Sequence, residues 1–168
     1  MDKKEWCAPL FYSQTKIQDC KMKVFATSKR QFDSLMSSKG IDSDNVHLKE
    51  QSFFISINDT CGTDETPYFK PSKNVLVLFF DDVEKDVLEG KYHVKAFTPQ
   101  QAIEVLDFVE KHKEKESCII HCSAGISRSG AVATFVNDNF GADPEFKKNN
   151  PFILPNGLVL SLLNRALR

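Results

Sequence analysis

The chain has 168 residues, of which 41% are hydrophobic and 27% charged, a balance that gives one soluble domain with a real core and excludes an extended disordered chain. With 22 Lys plus Arg against 23 Asp plus Glu there is no global basic field, so nucleic acid is not an expected partner. No apolar run reaches the length of a signal peptide core or a membrane span, and the expected location is cytoplasmic, with no membrane partner.

Residues 1–21 lack clean periodicity and read as an N-terminal arm packed on a single domain of residues 22–168. Met22 to Ala26 has strand character, Ser28 can cap a helix running through Met36, and Ser52 to Ile57 is a second apolar strand ended by Asn58 and Asp59. Cys61 to Lys73, with Gly62, Pro67 and Pro71, reads as a loop. Asn74 to Phe80 is apolar on both faces, as a buried parallel strand is, and runs straight into Asp81 and Asp82.

After a charged stretch, Thr98, Pro99 and Gln101 supply an N-cap, a first helical position and a capping box. Ala102, Ile103, Val105, Leu106 and Val109 mark the buried side of that helix. Ser117 to His121 is a short strand leading to Cys122, and Gly130 to Val136 opens a buried helix that continues to about Asn139. A connection through Pro144 and Pro151 leads to a last helix from Asn156 or Gly157 to Leu167. Strands alternating with helices predict an α/β fold: a mostly parallel central sheet of four to five strands, flanked by helices. Ligands of such sheets sit at the carboxyl ends of the strands, where Asp82 and Cys122 both fall.

The residues His121 to Gly130, HCSAGISRSG, place a cysteine and an arginine at the two ends of one loop between a strand end and a helix N-terminus. Unpaired N–H groups and the positive end of the helix dipole favour both a thiolate and an anion there. Gly125 permits the tight turn, the N–H groups of Ser123, Ala124, Gly125, Ile126 and Ser127 can face inward as an anion nest, and Arg128 can hold two oxygens at once. The Ser129 hydroxyl can donate to the sulfur of Cys122 when that sulfur leaves. His121 side by side with Cys122 invites a dyad, but alternation along a strand turns its side chain to the opposite face, toward a supporting role in the core.

Five cysteines, Cys7, Cys20, Cys61, Cys118 and Cys122, without paired spacing fit a reducing compartment and no zinc cluster. Cys118 and Cys122 would lie about 13 Å apart along a strand, too far to bridge. No metal and no cofactor is expected, because the nest and Arg128 supply the positive charge. His47, His93 and His112 carry no motif and read as surface or partly buried structural residues.

HCSAGISRSG resembles the signature loop of the cysteine-dependent protein tyrosine phosphatases, HCxxGxxR followed by Ser or Thr. The resemblance implies a two-step phosphatase in which Cys122 is the nucleophile, Arg128 and the loop bind phosphate, and Ser129 assists. It also implies a general acid. Phe80 to Val83 resembles the Phe-x-Asp-Ile segment of small bacterial members, which gives that role to Asp82, with Asp81 and Asp86 as alternatives. Asp82 lies further before the nucleophile than is usual in compact dual-specificity enzymes, and an inserted loop from Asp86 to Phe97 accounts for the excess. Leu154 to Gly157 resembles the Pro-Asn segment that opens the last helix of dual-specificity phosphatases, where the residue matching Asn156 supports the signature loop.

The implied substrate is a phosphorylated protein or peptide, and the depth of the pocket decides between phosphotyrosine alone and phosphotyrosine together with phosphoserine and phosphothreonine. The loop lacks the lysines that lipid phosphatases of the superfamily use, and no basic stripe favours an RNA triphosphatase. The alternatives are an RNA 5′-triphosphatase or lipid phosphatase of the same superfamily, an enzyme of sulfur chemistry such as an arsenate reductase or rhodanese relative, and a phosphoprotein-binding module without turnover. Tyr68, Phe69 and Tyr92 are either stacking partners for a phosphotyrosine ring or packing residues. Oligomeric state is not legible.

Overall fold

The computed structural model describes residues 22–60 and 66–168. The arm proposed for residues 1–21, with Cys7 and Cys20, lies outside the described residues, as does Cys61. Four strands form the central sheet: β1 (Lys23–Ser28), β2 (Ser52–Asn58), β3 (Val75–Phe79) and β6 (Ser117–Cys122). They lie in the order β1-β6-β2-β3, and every pairing is parallel. A parallel sheet needs crossovers between its strands: α1 (Lys29–Ser38) lies between β1 and β2 and α2 (Pro99–His112) between β3 and β6, while α3 (Arg128–Val136), the short α4 (Phe146–Asn149) and α5 (Gly157–Leu167) follow the last strand. The architecture is the α/β layering expected from the sequence.

Local signals set the helix starts. Ser28 caps α1 and Thr98 caps α2, each accepting from the N–H of a Gln three residues on, whose side chain returns to the cap N–H. Two cores cover the two faces of the sheet. Val24, Phe53, Ile55, Ile120 and Cys122 face α2, α3 and α5, whereas Phe54 packs with Phe32, Met36, Val46 and Phe69 beneath α1. Alternation along β6 therefore puts Cys122 and His121 on opposite faces.

Three expectations need correction. β3 is an edge strand rather than a fully buried one, and Phe79 is 49% exposed, because among the described residues no strand pairs beyond it in the sheet. The inserted segment is a hairpin, β4 (Val87–Glu89) paired antiparallel with β5 (Tyr92–Val94), not an irregular loop. On α2, Ile103 is 45% exposed, and the buried face runs through Ala102, Val105, Val109 and His112. His112 belongs to that face because its ring stacks on Phe53 at 5.3 Å. α3 passes into a π-helical turn, Asn137–Gly141, at the place where the sequence ends the helix. Among the described residues no helix is long and apolar enough to cross a membrane.

Candidate active site

The carboxyl ends of all four parallel strands converge on the loop that follows β6. Cys122 is its last strand residue, at 2% exposure, and its Sγ lies 3.1 Å from the Ser129 Oγ and 3.3 Å from the Gly125 N, whose N–H donates to it. The loop carbonyls are held from outside: Lys29 N–H donates to Ser123 O (3.3 Å), Leu154 N–H to Ile126 O (3.0 Å) and Asn156 N–H to Ser127 O (3.1 Å). Tying carbonyls outward leaves the N–H side of the loop to the sulfur. α3 begins at Arg128, so its unpaired N-terminal donors and dipole also face this space.

Gly125 is required by geometry. Its φ is 73°, and a Cβ there would lie 2.3 Å from the Ser28 N and 2.5 Å from the Thr27 carbonyl carbon. Backbone cannot give way at that distance. Gly125→Ala should cost about 3 kcal/mol, combining the left-handed penalty with overpacking, and lower the urea midpoint accordingly. A variant as stable as the native chain would show that the loop turns differently. At Gly130 a Cβ would meet the Ile153 Cβ at 3.0 Å, so close approach of α3 to the 151–156 segment also depends on glycine.

Arg128 is 5% exposed and aimed by two acceptors on one nitrogen, Asp59 Oδ1 at 2.7 Å and Phe80 O at 2.8 Å. Its Nε is buried with no hydrogen-bond partner among the described residues. A buried guanidinium donor left unpaired is costly and marks a position made for an anion. The other oxygen of Asp59 accepts from the Ser123 Oγ at 3.1 Å, so one carboxylate braces both ends of the loop. Asp59 was legible only as a strand terminator; its place at the carboxyl edge of β2 was the one available signal.

The two aspartates after β3 have different surroundings. Asp81 is 8% exposed, and its carboxylate accepts from the Thr60 N–H at 2.9 Å, the Thr60 hydroxyl and the Lys95 N–H at 2.8 Å. Burial pushes the Asp81 carboxyl up, but the Thr60 and Lys95 donors and the Arg128 charge outweigh it and hold it below its ordinary value. Asp81 thus fastens the hairpin to the sheet as a carboxylate. Asp82 is exposed and reaches the loop: its Oδ1 accepts from the Ser127 Oγ and from the Asn156 Nδ2, each at 2.8 Å. Asn156 also caps α5 through its Oδ1, which accepts from the Val159 N–H at 3.1 Å. Asp86 instead accepts from the Ala96 N–H and lies 3.7 Å from His93, within the hairpin.

His121 is fully buried behind the loop, with Nε2 2.7 Å from the Ser56 Oγ and its ring 4.5 Å from that of Phe32. Burial, with the Lys29 charge, lowers its pKa from 6.5 to about 4. The unfolded chain therefore binds a proton that the folded chain refuses between those values, so stability is lost as pH falls from 6.5 toward 4. The loss should approach about 3 kcal/mol in urea titrations, and His121→Gln should flatten that part of the profile. An unchanged profile in the variant would place the pH dependence elsewhere.

Of the aromatic candidates, Tyr68 and Phe69 are packing residues: Phe69 is 1% exposed, and the Tyr68 hydroxyl donates to Ile41 O at 2.8 Å. Tyr92 is 47% exposed and lines a separate groove with Lys91, His93 and Lys95. Cys118 is fully buried, and burial pushes its thiol well up, which keeps it protonated.

The family model described as protein-tyrosine phosphatase matches residues 91–137, from the hairpin turn through β6 and the loop to the end of α3. Over this segment the chain is similar to protein-tyrosine phosphatases. Asp82 and Asn156 fall outside this phosphatase match, and it is the fold that carries both to the signature loop. No curated protein sequence matches the chain. Among solved structures, human tyrosine phosphatase-like serine/threonine/tyrosine-interacting protein aligns at 16% identity and TM-score 0.43, covering 83% of this chain and 84% of that one. Tk-PTP in its active form aligns at 18% identity and TM-score 0.40, covering 88% and 95%.

Proposed function

We propose that the protein hydrolyses phosphate monoesters on proteins, phosphotyrosine together with phosphoserine and phosphothreonine, through a phosphocysteine at Cys122. The observation that carries this reading is the pairing of the Cys122 Sγ, held by the Gly125 N–H and Ser129 Oγ, with a buried Arg128 whose Nε has no partner among the described residues. Phosphate in the loop supplies that partner.

In the first step the Cys122 thiolate attacks phosphorus in line, the S–P bond forms and the P–O bond to the leaving oxygen breaks. The loop N–H groups and Arg128 hold the equatorial oxygens, and Asp82, in its acid form, gives its proton to the leaving oxygen. Both donors to Asp82 converge on Oδ1, so Oδ2 is the oxygen left to carry the proton. In the second step the Asp82 carboxylate takes a proton from water, water oxygen attacks phosphorus and the S–P bond breaks. The Ser129 hydroxyl donates to the departing thiolate, and inorganic phosphate leaves. Asp81 is unsuited to the acid role, because three donors favour its ionised form.

A loop built of Ser123, Ala124, Gly125, Ile126 and Ser127 offers no side-chain cation for additional phosphates, which favours a substrate with one. The test is turnover of para-nitrophenyl phosphate without added metal, with competition by vanadate. No turnover, with phosphate still bound, would make the chain a recognition module instead.

A further inference from the structure

We infer that the groove beside the signature loop is a subsite for a large apolar side chain, Leu, Ile, Met or Phe, flanking the phosphorylated residue of a peptide substrate; this rests on the phosphatase reading above. The groove encloses about 630 Å³ between α1, the loop residues Ala124 to Ile126 and the segment Asn149 to Ile153. In a chain that is 27% charged, none of the residues lining it is ionisable. An occupant with a charge would find no partner there.

Its walls are exposed apolar side chains. Phe152 is 80% exposed, and Leu35 and Ile126 are each 37% exposed. Asn150, at 5% exposure, does not make the wall polar, because its amide is spent on the Ala26 N–H (2.7 Å) and the Val24 carbonyl (2.9 Å). An exposed apolar surface of this kind beside a binding loop favours an apolar occupant.

The groove is continuous with the phosphate site. Gly125 lines it and donates to the Cys122 Sγ, while the Leu154 N–H bonds the Ile126 carbonyl at 3.0 Å and ties the Phe152 wall to the loop. A peptide whose phosphate lies over Cys122 must carry its neighbouring residues past this surface. An extended chain advances about 3.3 Å per residue, so a flanking side chain reaches a groove that begins at the loop itself.

The test is a phosphotyrosine peptide series in which Leu or Gly is placed in turn at each position within roughly three residues of the phosphorylated one. One position should show kcat/KM about tenfold higher for Leu than for Gly, the effect of burying part of one leucine side chain. In the double variant Phe152→Ser, Leu35→Gln that gain should vanish, while para-nitrophenyl phosphate turnover stays within about twofold, since neither residue touches the phosphate. The same peptides are titrated into Cys122→Ser by calorimetry, so the preference is read even without turnover. Phosphopeptides bound or hydrolysed with no Leu preference, or a preference that survives the double variant, would overturn the subsite and leave the phosphatase reading standing. Phosphopeptides neither bound nor hydrolysed would overturn both, and a short-chain phosphatidic acid bound more tightly than every peptide would assign the groove to an acyl chain and overturn the peptide assignment.

Discussion

Replacing Cys122 by serine should reduce para-nitrophenyl phosphate turnover by about 10⁵-fold or more, the scale expected when a nucleophile is removed from a site whose other parts depend on it. The cause lies in the atom. Sulfur is the stronger nucleophile, and the oxygen of an alcohol in the same place is a weak one. The replacement keeps a donor and acceptor beside Ser129 and the Gly125 N–H, so the loop should keep its shape. Thermal unfolding should shift by no more than about 4 °C, and phosphate should still bind, because Arg128 and the loop amides are intact. A variant retaining a tenth of the native rate would remove Cys122 from the role.

Asp82→Asn separates proton donation from nucleophilic attack. A general acid is worth about 10² to 10⁴ in rate, and it is needed in proportion to the basicity of the leaving oxygen. The kcat/KM for phenyl phosphate, which reports formation of the phosphocysteine, should therefore fall by about 10³, and that for para-nitrophenyl phosphate by less than about tenfold. Asparagine can still accept from the Ser127 hydroxyl and the Asn156 amide, so the comparison tests the proton rather than the contact. Asp81→Asn should behave differently: losing the anion that binds Thr60 and Lys95 loosens the hairpin and lowers stability with no dependence on leaving group. Equal losses of kcat/KM on both substrates for Asp82→Asn would move the acid elsewhere.

Much of this site could be read from the chain because its parts are local. Cap residues such as Thr98 and Gln101 act within one turn, and the cysteine, glycine, arginine and serine of HCSAGISRSG act within one loop. The strand that presents Cys122 was legible from its apolar run, and its parity already turned His121 away. What was not legible depends on residues far apart in sequence. The Asp59 bridge to Arg128 and Ser123 spans more than sixty positions, and a lone Asp after a strand gives no sign of it. β3 is as apolar as a central strand, but its position at the edge is decided by the order in which the other strands pair. The β4–β5 hairpin is built from strands of three residues in a charged stretch, too short for alternation to show. Asp81 and Asp82 are neighbours of identical type, and only the fold gives one of them three backbone and hydroxyl donors and lays the other on the loop.

The most direct test is a rapid acid-free quench of the Asp82→Asn variant during turnover of para-nitrophenyl phosphate, followed by peptide mass analysis. Slow hydrolysis of the intermediate should let a phosphoryl group accumulate on the peptide that contains Cys122, and on no other. Release of nitrophenol with no phosphoryl adduct at any time, or an adduct on a residue other than Cys122, would contradict the covalent mechanism.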